Sequence, residues 1–383
     1  MSEEALMAAP SFRTAVDERR IAQIRQITHE LPASCSDFLR GIAMTTSTFT
    51  RLAYALDLRT FFHYLAEERV AFADKPVTQF TDADIERISQ KDLEDYAEFL
   101  TLYYKHPPTA DDTEAIPCKP IVNHELAVKR KLCSLRSYFD YMFRSKRLSA
   151  NVSQLVELPK IHEKPILRLN ADELQKMLEL SQTGENMTKG QAKFHKLTAA
   201  RDYAMLSLFL GTGIRVSECV GLNIEDIDFS QNAFLVTRKG GNQVVLYFPQ
   251  EVADALQAYL VQREHIDALP GHENALFLSL QRKRMNQRSI QKLVKKYAAY
   301  AAPLKPRISP HKLRSTFGTN LYHATGDIYL VADVLGHTSV DTTRKHYADM
   351  TDSRRRMAAE HVHLPTAEGN ADSQEVFSTE EQP

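Results

Sequence analysis

The sequence predicts a mainly α-helical protein with a small antiparallel β-sheet, on three observations. Apolar residues recur every three or four positions, the spacing of one helix face, as in Thr48–Val70 and Glu125–Leu148. Phe234–Arg238 and Gln243–Phe248 are rich in Val, Leu and aromatic residues and are separated by Lys-Gly-Gly-Asn, a pattern typical of a β-hairpin. The polar, proline-bounded segment Pro159–Pro165 favours a linker between two domains.

The domain organisation follows from this linker and from the length. A chain of 383 residues is long for one compact domain. We expect a helical N-terminal domain over 1–158, a linker over 159–168, a mixed α/β domain over 169–358 and an acidic, flexible tail over 359–383. The residues 103–120, with several prolines and an acidic cluster, favour an exposed loop.

Apolar periodicity and end signals predict the individual helices of both domains. The expected helices in the N-terminal domain are Asp17–Leu31, Cys35–Ala43, Thr48–Val70, Asp82–Leu100 and Glu125–Leu148. In the second domain Asn170 and Glu173 resemble a capping box, and a polar loop is expected up to about His195. The helices expected there are 170–180, Thr198–Leu210, Val252–Arg263, Gln287–Ala302 and Asp327–Leu335.

Composition excludes several protein classes. The chain is 43% hydrophobic and 25% charged, and charged residues interrupt it from Glu3 onward, so no early run suits a signal peptide or a membrane span. We therefore expect a cytoplasmic protein that does not contact a membrane. The four cysteines form no CxxC pair, which indicates neither a zinc site nor a disulfide framework.

The charge distribution points to a polyanionic partner although the net charge is -1. Six acids and no Lys or Arg lie from Glu360 to the end, whereas Asn274–Gly326 holds eleven Lys or Arg and no acid. Such a patch suits a phosphate backbone, but a solvated helix face explains it equally well. The candidate DNA contacts lie in this patch and in the basic helix Glu125–Leu148: Arg282, Lys283, Arg284, Arg288, Lys129, Arg130 and Arg136.

The first residue suited to phosphodiester chemistry is Arg215, in GTGIRVSE. Gly211 and Gly213 are expected to break the preceding helix, and Glu218 follows Arg215 by one turn. An arginine that begins a helix can present its planar guanidinium to a phosphate while a nearby carboxylate orients it. The sequence therefore predicts Arg215 as a phosphate-binding residue.

The other candidates lie near the C-terminus and in the hairpin turn, which holds Lys239. His311 and Arg314 are three positions apart, so they share one side of a helical turn and could meet one phosphate. His337 follows a glycine that ends a helix, where the helix dipole favours a protonated imidazole. Tyr347 is expected about two turns into a following helix. Singly, each residue has an ordinary explanation, such as a solvated lysine or a core tyrosine; their order carries the argument.

In that order, TGIRVSE, the turn lysine, HKLR, LGH and TTRKHY resemble the active-site motifs of the tyrosine recombinase (phage integrase) family. The resemblance covers about Leu169 to Met350, and the helical N-terminal segment is similar to that family's core-binding domain. It implies a core-binding domain followed by a catalytic domain of the tyrosine recombinase type. It also implies six catalytic residues: Arg215, Lys239, His311, Arg314, His337 and Tyr347.

The resemblance implies a reaction in which Tyr347 attacks the scissile phosphate and forms a 3′-phosphotyrosine. Arg215, Arg314 and His337 would neutralise the non-bridging oxygens, Lys239 would protonate the leaving 5′ oxygen, and His311 would assist at the tyrosine. No metal or other cofactor is expected. The implied partners are double-stranded DNA with specific recombination sites, further copies of the chain in a tetramer on two sites, and an accessory DNA-bending or directionality protein.

Three alternatives stay open. Residues 329–347 also suit a helix-turn-helix of a DNA-binding protein without catalysis, which would leave Arg215, Lys239 and His311 unexplained. A type IB topoisomerase would share the cleavage step without strand exchange. Within the recombinases, the loop 103–120 and the tail after Pro365 favour the integrase of a mobile element over a Xer-like resolvase of chromosome dimers.

Overall fold

The structure, a computed structural model, describes residues 12–104, 120–162, 168–238 and 241–336. It is mainly helical with small antiparallel sheets, which confirms the predicted fold class. The chain divides into two units, Met1–Pro165 and Ile166–Pro383. Within the described ranges, none of the helices is long and apolar enough to cross a membrane.

The first unit is a set of helices with one short β-ladder. Its helices are α1 (Phe12–Thr28), α2 (Ala33–Gly41), α3 (Thr48–Glu68), α4 (Asp82–Glu86), α5 (Gln90–Phe99) and α6 (Glu125–Arg144). Strands β1 (Leu102–Tyr103) and β2 (Ile121–Val122) pair antiparallel. Sequence analysis missed this ladder because two-residue strands are too short to show an alternating pattern.

The prediction of one helix over Asp82–Leu100 is wrong, because a second helix start lies inside it. The Ser89 hydroxyl accepts a hydrogen bond from the Asp92 backbone N–H at 3.3 Å, and the Asp92 carboxylate accepts one from the Ser89 N–H at 2.8 Å. This reciprocal capping box begins α5. The chain therefore turns between α4 and α5.

Aromatic side chains fill the core of the first unit. Phe61 on α3 packs against Tyr96 on α5 edge-to-face, with ring centroids 5.0 Å apart, and against Phe139 on α6 at 6.3 Å. All three rings are fully buried. Such pairs contribute about 0.5–1.5 kcal/mol each beyond their buried area, so α3, α5 and α6 are held as one core.

The second unit combines seven described helices with a three-stranded sheet. The helices are α7 (Ala171–Thr183), α8 (Lys189–Thr212), α9 (Val216–Gly221), α10 (Gln250–Arg263), α11 (Gln287–Ala301), α12 (Pro310–Thr325) and α13 (Ile328–Leu335). The antiparallel strands, in the order β3-β4-β5, are β3 (Ile227–Asp228), β4 (Ala233–Thr237) and β5 (Gln243–Tyr247). Pairing runs from Ala233 with Tyr247 to Thr237 with Gln243, which confirms the predicted hairpin.

Helix α8 is longer than predicted, and the expected polar loop up to His195 is wrong. Thr188 and Gln191 form a capping box, with the Gln191 N–H bound to the Thr188 hydroxyl at 3.3 Å and the Thr188 N–H bound to the Gln191 side chain at 3.0 Å. The helix therefore begins at Lys189. It packs against α7, α10 and α12, so its C-terminal end is fixed by the core of the unit.

Candidate active site

The candidate site begins where α8 ends. Gly213 adopts φ +61, the left-handed conformation that glycine reaches without strain, and its N–H closes the helix on the Phe209 carbonyl. A Cβ at this position would lie 2.4 Å from a ring carbon of Phe317, so α12 approaches the bare backbone closely. This turn releases the chain into α9 with Arg215 as its N-cap residue.

Arg215 is oriented by Glu218, as the sequence predicts. The Glu218 carboxylate accepts hydrogen bonds from the Arg215 backbone N–H at 3.0 Å and from its Nη1 at 2.8 Å. Glu218 is buried, with 4% of its side chain exposed, whereas Arg215 retains 32% exposure. The ion pair therefore fixes a guanidinium that still faces solvent, where a phosphate could reach it.

Helix α12 carries His311 and Arg314 in different surroundings. Pro310 occupies the first turn, where its missing N–H leaves no helical hydrogen bond unmade, and His311 beside it is exposed. Arg314, one turn later, is 6% exposed. Its guanidinium donates to the carbonyl oxygens of Gly213 and Leu335. Arg314 thus ties the end of α8 to the end of α13.

The C-terminal end of α13 is the point where separate segments of the unit meet. Gly336 ends the helix at φ +58, which confirms the predicted glycine cap. The Arg215 Nη2 donates to the Gly336 carbonyl at 2.8 Å, and Arg314 donates to the carbonyl of the preceding Leu335. A helix leaves its last carbonyls without intrahelical partners and carries partial negative charge there, so guanidinium groups suit this end.

Arg238, which sequence analysis did not select, is a third arginine bound to the end of α13. It follows β4 and donates through Nη2 to the Val334 carbonyl at 2.7 Å and through Nη1 to the Asp333 carbonyl at 3.3 Å. Burial lowers the pKa of Arg238 from its ordinary value, but a guanidinium remains protonated at neutral pH. The one sequence signal was its position directly before Lys239, which did not distinguish it from a solvated turn residue.

Guanidinium groups from distant parts of the chain meet at the end of α13. Arg215 and Arg314 are about a hundred positions apart in sequence, yet they donate to the carbonyls of two consecutive residues. Two guanidinium groups in such proximity supply the planar donors that recognise a phosphate. In the described residues, no group of three His, Cys, Asp or Glu side chains is placed to hold a metal ion.

Three of the six predicted catalytic residues lie outside the described residues. They are Lys239, which follows Arg238 directly, His337, which follows Gly336 directly, and Tyr347. Their roles therefore stay predictions. Among the described three, Arg215 and Arg314 are brought together at the end of α13, and His311 lies on the same helix as Arg314.

The predicted DNA contacts of α6 are partly occupied within the first unit. Arg130 donates two hydrogen bonds to Asp57, at 2.6 and 2.8 Å, and this interaction raises the pKa of the guanidinium. Arg136 donates to the backbone carbonyls of Ser153 and Val156. Lys129 is half-buried. These interactions stabilise the unit, so the part of the three residues in DNA binding stays a prediction.

The basic residues just before α11 and at its start separate into two kinds. Arg282, Lys283 and Arg288 are exposed. Arg284 instead donates to the Val220 and Leu222 carbonyls, at 3.0 and 2.7 Å, and burial lowers its pKa. The first three are therefore accessible to a polyanion, whereas Arg284 holds the loop after α9.

A family model and individual known proteins both show similarity to this chain. Residues 168–354 match the model of the phage integrase family. A tyrosine recombinase XerC of Caldanaerobacter subterraneus subsp. tengcongensis is 33% identical over 311 residues, which cover 80% of this chain and 79% of that protein. A tyrosine recombinase XerS of Lactococcus lactis subsp. cremoris is 27% identical over 348 residues, covering 85% of this chain and 94% of that one.

Solved structures share the fold. XerH recombinase bound to a palindromic difH substrate, in a post-cleavage complex, is similar with a TM-score of 0.56 and 21% identity, over 82% of this chain and 80% of that one. The Tn1549 transposon integrase in complex with circular intermediate DNA is similar with a TM-score of 0.56 and 19% identity, over 85% of this chain and 98% of that one. At these identities the likeness concerns the fold alone.

Proposed function

The chain belongs to the tyrosine recombinase (phage integrase) family, and we propose that it cuts and rejoins double-stranded DNA at specific sites through a 3′-phosphotyrosine intermediate. The observation that carries this proposal is the convergence of Arg215 and Arg314 on the Gly336 and Leu335 carbonyls. The next residue in the chain is His337. Arg215 and Arg314 therefore meet at the helix end that His337 directly follows in the sequence, and these three residue types have the chemistry to neutralise a pentacoordinate phosphate.

In the proposed reaction the Tyr347 oxygen attacks the scissile phosphorus, and the bond between phosphorus and the 5′ oxygen breaks. Lys239 gives a proton to the leaving 5′ oxygen, while His311 takes part in removing the tyrosine proton. The phosphotyrosine ester conserves the energy of the broken bond, so a 5′-hydroxyl of a second strand can reverse the step without ATP. Glu218 acts indirectly by orienting Arg215.

A covalent trapping experiment tests the nucleophile. We expect purified protein incubated with its site DNA and quenched in detergent to carry covalently attached DNA, and Tyr347→Phe to carry none. Tyr329→Phe is the matched control, because Tyr329 on α13 is 70% exposed and precedes His337 in the chain. Mapping the free DNA end should give a 5′-hydroxyl.

Two results would contradict the proposal. An adduct that persists in Tyr347→Phe would remove Tyr347 as the nucleophile. Specific DNA binding without any adduct, in wild type and variant alike, would instead favour the helix-turn-helix alternative for residues 329–347.

The partners in this proposal are DNA duplexes and further copies of the chain. Relatives described as bound to difH or to circular intermediate DNA support a double-stranded DNA partner. We propose that four copies assemble on two recombination sites, with an accessory DNA-bending or directionality protein, in the cytoplasm. Mass measurement of the complex on DNA in solution tests the tetramer.

We propose the integrase of a mobile element as the biological setting. The residues 103–120 and the tail after Pro365 support this choice, as they look like element-specific additions. The alternative is a Xer-like resolvase, the name that several relatives carry. Adduct formation on DNA from the ends of the protein's own element, compared with the host's dimer-resolution site, decides between the two.

A further inference from the structure

Arg238 occupies a junction between two parts of the candidate site. Its backbone closes the β4–β5 turn: its N–H donates to the Asn242 carbonyl at 2.7 Å, and its carbonyl accepts from the Gly241 N–H at 3.2 Å. Its side chain reaches α13, more than ninety positions later, and donates to the Asp333 and Val334 carbonyls. The residue that follows it is Lys239. One residue thus joins the lysine turn to the end of α13.

We propose that Arg238 is a positioning residue that ties the turn bearing Lys239 to the helix end held by Arg215 and Arg314. The general acid for the leaving oxygen and the arginines that bind the phosphate are then held in fixed positions relative to one another. This inference rests on the proposed function, because it concerns how the general acid of that reaction is placed.

The interaction of Arg238 with α13 is specific to an arginine. Nη1 and Nη2 bind two consecutive carbonyls, which requires the planar guanidinium and which the single ammonium of a lysine does not reproduce. The carbonyls lie at the negative end of the α13 dipole. Partial burial, which lowers the pKa of Arg238, shields the Nη2 bond to the Val334 carbonyl from competing water, whereas the Nη1 bond to the Asp333 carbonyl is exposed.

Gly336 provides the space for this guanidinium. A Cβ at Gly336 would lie 2.1 Å from the Arg238 Nη1 and 2.4 Å from its Cζ. Glycine is therefore required at position 336 for two reasons: the backbone has a φ of +58, and Arg238 approaches it closely. A side chain at position 336 would displace the arginine although Arg238 itself is unchanged.

The first test needs no DNA. Hydrogen exchange of the full-length protein should show that Arg238→Ala speeds exchange roughly 10- to 100-fold in peptides covering 237–243 and 328–336. Gly336→Ala should speed exchange in the same turn peptide. Gly271→Ala is its control, because Gly271 also has positive φ, at +80, but a Cβ there meets nothing within 4 Å. Unchanged exchange in both peptides of Arg238→Ala would refute the proposal that Arg238 links the β4–β5 turn to α13.

The second test separates a role in placing Lys239 from a general loss of structure. Two half-site substrates differ only in the bridging 5′ atom, which is oxygen in one and sulfur in the other. When the phosphorus–oxygen bond breaks, the leaving oxygen needs a proton, whereas a leaving thiolate does not. Lys239→Ala should therefore lose cleavage on the oxygen substrate and regain most of it on the sulfur substrate.

We expect Arg238→Ala to show the same pattern, with a loss on the order of 100-fold on oxygen and near wild-type cleavage on sulfur. Arg238→Lys should lie between the two, and the double variant with Lys239→Ala should cleave no more slowly than Lys239→Ala alone. An equal loss on both substrates would overturn the proposal. If the wild type cleaves neither substrate, the proposed function fails, while hydrogen exchange still decides whether Arg238 makes the tie.

Discussion

The Arg215 guanidinium and the Glu218 carboxylate form an ion pair of 2.8 Å in which the acid is buried and the arginine is partly exposed. The same carboxylate also accepts the Arg215 backbone N–H, so it caps α9 while it orients the side chain. The Glu218 carboxylate therefore both caps the helix and orients the Arg215 side chain, so a substitution of Glu218 affects both.

We expect Glu218→Gln to lower the rate of DNA adduct formation on the order of 100-fold with little loss of DNA affinity. The amide has the shape of the carboxylate but not its charge, and its NH₂ group cannot accept from Arg215. Rates of adduct formation under saturating protein measure the effect. Glu225→Gln, at an exposed position of the next turn, is the control. Wild-type rates in Glu218→Gln would show that Arg215 needs no charged partner.

The basic segment before α11 should separate DNA binding from stability. Arg282 and Lys283 are exposed, so replacing both with Ala should weaken DNA binding and reduce the slope of log K against log salt by about 0.9 for each phosphate that is no longer neutralised. Arg284→Ala should instead destabilise the second unit, because the Val220 and Leu222 carbonyls lose the hydrogen bonds that this guanidinium donates.

Binding titrations at several salt concentrations, together with urea unfolding of each variant, check both parts. The prediction is contradicted if Arg282→Ala/Lys283→Ala leaves the salt slope unchanged. It is also contradicted if Arg284→Ala unfolds at the same urea concentration as the wild type.

Asp57 should be far more sensitive to substitution than a surface acid of the first unit. It is 2% exposed and accepts hydrogen bonds from Arg130, from Lys131 at 3.2 Å and from Ser134 at 2.6 Å. Asp57→Ala leaves these donors without their acceptor, so we expect a loss of about 3 kcal/mol in the free energy of unfolding.

Urea unfolding at neutral pH measures this loss. The control is Glu30→Ala, whose ion pair with Arg59 lies at the surface, with 45% and 34% of the side chains exposed. Removing such a pair should change the free energy by less than about 1 kcal/mol. Equal effects of the two substitutions would mean that burial adds nothing to the Asp57 network.

Stability at acid pH should depend on Asp84. The Lys75 ammonium at 2.7 Å, and then hydrogen bonds from the Thr81 hydroxyl and N–H, hold the pKa of the Asp84 carboxyl well below its ordinary value. A pKa that folding lowers stabilises the folded state above the unfolded pKa of about 4, and this contribution is lost as the pH falls further. Asp84→Asn removes it at every pH.

We therefore expect Asp84→Asn to be less stable than wild type by about 1–2 kcal/mol at pH 7, with a difference that shrinks progressively as the pH falls from about 4 towards the lowered folded-state pKa. Urea unfolding midpoints across this pH range provide the measurement. Asp254→Asn, at an exposed position of α10, serves as the control. A constant difference between Asp84→Asn and wild type at all pH values would contradict the assignment.

Sequence analysis predicted the local features of the fold and missed the long-range ones. The capping box of Asn170 and Glu173, the β4–β5 hairpin and the glycine cap at Gly336 depend on residues close together in the chain, and all are confirmed. The separate starts of α5 and α8 also had local signals, in the Ser89 and Thr188 capping boxes, but apolar spacing outweighed them.

In the candidate site, too, the local interaction was predictable from the sequence and the long-range ones were not. Glu218 as the partner of Arg215 follows from helix spacing, which the sequence contains. Arg238 and Arg284 bind backbone carbonyls 96 and 62 positions away, and every residue has a carbonyl, so no residue type at the distant position marks the interaction. Such arginines cannot be distinguished from solvated ones until the fold is known.

The carbonyls that end α13 have a consequence for the thermodynamics of DNA binding. Immobilising a long side chain at an interface costs about 0.5–1.5 kcal/mol of conformational entropy. Arg215, Arg238 and Arg314 are already restrained by intramolecular hydrogen bonds to consecutive peptide groups. Most of their rotamer entropy is therefore lost when the chain folds, so in the proposed reaction Arg215 and Arg314 would meet the phosphate already ordered, with Arg238 fixed beside them.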